Sequence, residues 1–143
     1  LFPCEALRSP KGFYIENFSG RAFELLTRSI LENRTLKEHL FKKLRLNDPG
    51  YSIDTYWNEK TQIDLVVGHR QDRVIRVIEC KWTGRSSADD HKKWITQVQA
   101  KQYPLGEKET RWNYLAISEK PSASFLTLAK KNHVGVIQLE DLF

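Results

Sequence analysis

Residues 62–82 read QIDLVVGHRQDRVIRVIECKW, two runs of Ile, Val and Leu separated by the polar stretch His69, Arg70, Gln71 and Asp72. Short β-branched runs on either side of a polar break predict a β-hairpin with strands over 61–68 and 73–82. Three charged side chains interrupt these otherwise apolar strands: Asp64, Glu79 and Lys81. Side chains alternate faces along a strand, so Glu79 and Lys81 project together with Ile75 and Val77, while Asp64 shares a face with Gln62 and Val66. An even-numbered loop brings Asp64 to the face of Glu79. A two-residue turn at Gln71 and Asp72 sets them opposite each other, at about 5 Å between Cβ atoms. A single bulge residue would send Asp64 to the other face.

Two carboxylates held so close repel each other, and burying them costs several kcal/mol per ion unless a cation compensates. A divalent metal supplies that cation. An all-oxygen, incomplete ligand set favours Mg²⁺ or Mn²⁺, which retain water, over zinc. Lys81 beside the metal would orient or deprotonate an attacking water, or neutralise charge on a phosphorane. The chemistry expected is phosphodiester hydrolysis by an Mg²⁺-dependent nuclease.

Outward from the hairpin, the apolar spacing predicts helices over 18–33 and 35–46, ended by Asn47, Asp48, Pro49 and Gly50. A strand over 51–57 precedes the hairpin. A helix capped by Ser86 and Ser87, with Asp89 and Asp90 at its positive end, follows and runs until Pro104 and Gly106. A strand over 111–118, a helix over 122–132 and a last strand over 134–139 complete the chain. The fold class expected is α/β, a central mixed sheet flanked by helices, in the order αβββαβαβ.

The 143 residues suit one domain. Lys and Arg exceed Asp and Glu by 23 − 18 = 5, a balance compatible with a phosphate backbone and so with nucleic acid, DNA first. No apolar run reaches the roughly 18 to 20 residues that span a bilayer, so no membrane partner and a cytoplasmic location are expected. Cys4 and Cys80 are expected to be reduced. The chain starts at Leu1 and contains no Met, which leads to the expectation of an upstream domain, residues 1–15 forming its irregular end and 16–143 the catalytic unit. No Ser/His/Asp or Cys/His arrangement, phosphate-cradling glycine loop or dinucleotide fingerprint is present, which argues against serine hydrolases, kinases and Rossmann enzymes.

Asp64, the hairpin and then Glu79-Cys80-Lys81 resemble the motif of the PD-(D/E)XK nuclease superfamily, with its restriction-endonuclease-like core. The likeness covers roughly residues 18–139. It implies a glutamate from the first helix at the metal site, and Glu24 in Gly20-Arg-Ala-Phe-Glu24 fits. It also implies a Gln-x-x-x-Tyr signature after the lysine strand, which Gln99 and Tyr103 satisfy as secondary site residues. Ile63 stands where the motif has proline. More narrowly, Gly-x-x-Phe-Glu, QIDLVV and IECKW look like the nuclease-like C-terminal domain of prokaryotic AAA-type ATPases, which implies an ATPase domain in the same chain.

Taken singly, each of these residues has a plainer reading: an edge carboxylate, a solvated helix glutamate, a packing tyrosine. The metal set is Asp64, Glu79 and Glu24, with Lys81 catalytic. Arg85, Lys92, Lys93 and Lys101 form a candidate phosphate track, although a solvated helix face is the better explanation for most of them. Tryptophans in apolar runs are expected in the core rather than on bases. The alternative function is a catalytically silent nucleic-acid-binding or regulatory module of an ATPase; a partner-docking domain is a third. A homo-oligomer would serve cutting of both strands of a duplex.

Overall fold

The computed structural model describes residues 28–46, 51–69, 72–81 and 86–142. The expected opening segment, most of the 18–33 helix, Glu24 and Arg85 lie outside them. Residues 28–32 are helical. Asn33 then starts a new helix, its side chain accepting the Leu36 N–H at 3.1 Å. This helix, α1 (Arg34–Lys43), stops short of the expected 46 because Arg45 takes a positive φ of 59°.

Three strands follow, β1 (Tyr51–Trp57), β2 (Gln62–His69) and β3 (Val74–Lys81), then α2 (Ala88–Ala100), β4 (Thr110–Ile117), α3 (Ala123–Lys131), β5 (Val134–Gln138) and a 3₁₀ turn over Leu139–Leu142. Ser87 is the N-cap of α2, and with Asp90 it closes a reciprocal capping box. Ser122 caps α3 in the simpler way, by accepting the Phe125 N–H.

The strands form one open mixed sheet in the order β1-β2-β3-β4-β5. The first three make an antiparallel meander; β4 and β5 add in parallel. Two successive right-handed crossovers advancing the same way across a sheet put both connecting helices on one face. Trp94, Ile95 and Val98 of α2 and Phe125 and Ala129 of α3 accordingly pack with Val77, Leu115 and Ile117. On the other face α1 and the terminal 3₁₀ turn cover Leu65, Val67, Ile78 and Cys80. Covered on both sides, β3 is buried from Val74 to Cys80, which is why it reads as a nearly unbroken apolar run.

Arg76 and Glu79 are the charged residues buried among those described. The Arg76 guanidinium binds Asp72 at 2.9 Å and the Val74 carbonyl at 3.3 Å, and lies 5.3 Å from the centre of the Trp112 ring. Its Nε lacks a hydrogen-bond partner.

Candidate functional site

Glu79 sits near the end of the central strand, only 5% exposed. The β2–β3 ladder runs from Gly68↔Ile75 to Leu65↔Ile78 and stops there. One further step in that register is Asp64 opposite Glu79, the pairing expected of a two-residue turn. At this point side chains replace backbone partners: the Asp64 N–H donates to Glu79 Oε1 at 3.3 Å, and the Cys80 N–H donates to Asp64 Oδ2 at 2.8 Å.

A bulge on the other edge of β2 is part of the cause. The β1–β2 register slips between Asp54↔Val66 and Tyr56↔Ile63, so β2 carries one extra residue there. Ile63 and Val66, three apart, consequently enter the same core cluster. An extra residue kinks its strand and leaves ladder groups unpaired. Asp64 lies in that kink, with its N–H turned to the carboxylate of Glu79 instead of flipped away from it.

Both acids are held in unfavourable surroundings. Burial, then the charge of Asp64, pushes Glu79 up from 4.5 to about 7, against the opposing pull of Lys101. Burial also raises Asp64, although the Cys80 N–H, Lys81 and Lys101 act the other way. The free Cys80 thiol between them points to the opposite core and is pushed well above its ordinary value, first by burial and then by both carboxylates.

Cations reach this pair from β3 and α2. Lys81 Nζ donates to Gln97 Oε1 at 3.0 Å. Lys101 Nζ donates to the Gln62 carbonyl at 2.6 Å and stands 3.9 Å from Glu79 Oε2. The end of α2 is fixed by Arg111, which donates to the Val98 carbonyl at 2.7 Å and to the Lys101 carbonyl, with Nε on Asn113. These are carbonyls that a helix end leaves without intrahelical partners, so the clamp both caps α2 and sets where Gln97 and Lys101 point. Lys60, Thr61, Gln62, Lys81, Gln97 and Lys101 line an open groove of about 380 Å³.

Of the residues expected from the sequence, Asp64, Glu79, Lys81 and Lys101 come together. Gln99 does not join them: it is exposed and donates to the Asn132 carbonyl at 3.1 Å, tying α2 to the end of α3. Tyr103 is half-buried against Tyr56, ring centres 4.9 Å apart. Lys92 and Lys93 are exposed on α2 and are not among the residues that line the groove. Gln97 and Lys60 were not anticipated. Gln97 was legible, since it follows the buried Trp94 by three positions and precedes Val98; Lys60, in a turn, carries no such signal.

A second polar cluster forms where α2 begins. Ser86 Oγ donates to Glu119 and lies 2.7 Å from His91 Nε2. A hydroxyl has one proton, and here Glu119 accepts it. The cluster ties α2 to the loop before α3.

The family DUF234, described as archaeal and bacterial proteins of unknown function, matches residues 11–93. The chain belongs to this family. The DUF234 match takes in the β1–β3 meander with Asp64, Glu79 and Lys81, and it ends within α2 ahead of Gln97 and Lys101. No curated protein and no solved structure matches the chain.

Proposed function

We propose that the chain is a metal-dependent nuclease domain, acting on the phosphodiester bonds of nucleic acid, DNA foremost, with a restriction-endonuclease-like core. The observation that carries this reading is the pairing of two destabilised carboxylates, Asp64 and Glu79, with Lys81 held by Gln97 at the edge of a lysine-lined groove. The resemblance of Asp64 and Glu79-Cys80-Lys81 to the PD-(D/E)XK motif supports it, and so does the AAA-type ATPase likeness for an ATPase partner domain in the same chain.

The donor set fits Mg²⁺ or Mn²⁺. No group of three or more His, Cys, Asp or Glu side chains is poised as a metal cluster among the described residues. Two carboxylates and a retinue of waters suit a small hard cation that keeps part of its hydration, and a dication would offset the burial and the repulsion from Asp64 that together push Glu79 up to about 7. Asp64 and Glu79 would hold it; Glu24 remains a proposed third ligand. The metal would supply Lewis acidity at the scissile phosphate.

The chain's own groups have separate tasks. Lys81, its amine positioned by Gln97, places a positive charge where negative charge builds in the transition state. Lys101 compensates Glu79 and presents a cation at the groove wall. Lys60 holds the substrate phosphate backbone at the groove's outer edge.

The test is cleavage of labelled supercoiled, linear and branched DNA with Mg²⁺ or Mn²⁺. Asp64→Ala and Lys81→Ala should each lower cleavage roughly 100- to 1,000-fold, as removal of a transition-state stabilising group does. Cleavage unaffected by either substitution would refute the assignment. Salt-dependent binding with no cleavage of any substrate would instead support the silent nucleic-acid-binding module.

A further inference from the structure

Trp57 is the last residue of β1 and is 74% exposed, the most exposed large hydrophobic side chain among the described residues. The expectation that tryptophans fill the core holds for Trp94, which is 7% exposed, and fails at Trp112, 51% exposed beside Arg76, and most of all here. An indole left in water forgoes the hydrophobic stabilisation that burial brings, so its surroundings bear on what it does.

Those surroundings are a hydrogen-bonded turn that leads into β2. The Asn58 N–H donates to the Thr61 carbonyl at 2.9 Å, and Asn58 Oδ1 accepts from the Lys60 and Thr61 N–H groups at 2.8 and 2.9 Å. Asn58 Nδ2 also reaches the Tyr56 hydroxyl at 3.1 Å. Trp57 pairs in register with Gln62, whose carbonyl receives Lys101. The turn therefore links the indole through one residue pair to the lysine next to Glu79.

Trp57, Asn58, Glu59, Lys60, Thr61 and Gln62 line an open groove of about 520 Å³. It shares Lys60, Thr61 and Gln62 with the groove that holds Lys81 and Lys101. The groove beside Trp57 and the lysine-lined groove thus share one wall, Lys60 to Gln62. Aromatic platforms beside lysine-lined tracks bind single strands, because every base offers a π-face and every phosphate a charge.

The geometry points to Trp57 as a stacking platform for an unpaired base of single-stranded nucleic acid, whose phosphates run past Lys60 toward Lys81 and Lys101. This rests on the nuclease reading and narrows its substrate to strands with an unpaired nucleotide beside the site. Trp57 is a binding residue in this scheme and has no part in bond cleavage.

The experiment compares the full chain with Trp57→Ala and Trp57→Phe for binding of fluorescein-labelled oligothymidylate and of a blunt duplex of equal length, in EDTA so that nothing is cut. Circular dichroism checks that both variants fold. Trp57→Ala should weaken oligothymidylate binding roughly 5- to 150-fold, Trp57→Phe much less, and duplex binding should hardly change. Quenching of tryptophan emission by oligothymidylate should also largely disappear in Trp57→Phe. Unchanged oligothymidylate affinity in Trp57→Ala, an equal loss on both probes, or no binding by the wild type overturns the inference. The nuclease reading is judged separately, by Mg²⁺-dependent cleavage and its loss in Asp64→Ala, and survives a Trp57 that does nothing.

Discussion

At the scale of single residues, Glu79 is held protonated at a pH where an ordinary glutamate is charged, and that has a consequence for stability. Its folded value is raised from 4.5 to about 7, so between these limits the folded chain binds a proton that the unfolded chain has released. The proton-linked stabilisation is therefore complete below pH 4.5 and lost as pH rises through about 7. A shift of this size corresponds to at most about 3 kcal/mol. In EDTA, denaturant unfolding should give lower stability at pH 8 than at pH 5, and Glu79→Gln should flatten that difference and stabilise the chain at pH 8. A wild type and Glu79→Gln with the same pH profile would show that burial does not strain Glu79. Adding Mg²⁺ at pH 8 should raise the stability of the wild type and leave Glu79→Gln much less affected.

At the scale of elements, two contacts decide how the sheet and α2 are held. Gly135 of β5 lies against the Tyr114 ring of β4, and a Cβ there would come within 2.5 Å of the ring. Gly135→Ala should cost about 1 to 3 kcal/mol through overpacking, read as a fall in the denaturation midpoint. Ser87→Ala opens the capping box of α2 and should cost about 1 kcal/mol. The elements themselves were legible because β3 is a nearly unbroken apolar run and α2 and α3 carry periodic patterns between strong breakers. The hairpin register followed from strand parity alone. The bulge at Asp64 did not, since an inserted residue leaves no trace in the alternation of Ile63, Leu65 and Val67. Gln99 was misplaced for a related reason: a spacing of four to Tyr103 says nothing about which face is inward. The fold therefore reads from period, and the site reads only where period also fixes the face.

At the scale of the whole molecule, the excess of five positive charges matters less than where they collect. Lys92 and Lys93 stand on an exposed helix face, while Lys60, Lys81 and Lys101 line one groove, from which Lys101 stands 3.9 Å from Glu79 Oε2. No helix among the described residues is long and apolar enough to cross a membrane; under the proposed nuclease reading, this groove is the surface offered to a polyanion. Each phosphate neutralised on a single strand releases counterions and contributes about 0.7 to the slope of log affinity against log salt. Three lysines acting together should give a slope of about −2 for oligothymidylate. Lys60→Ala should reduce its magnitude by about 0.7, and the pair Lys92→Ala and Lys93→Ala should leave it unchanged. If the helix-face pair carried the loss instead, the phosphate track would run along α2 and the groove would be a by-product of positioning Lys81. A slope near zero in the wild type would remove nucleic acid from the account, leaving the carboxylates and their lysines as a buried ion cluster that serves the fold.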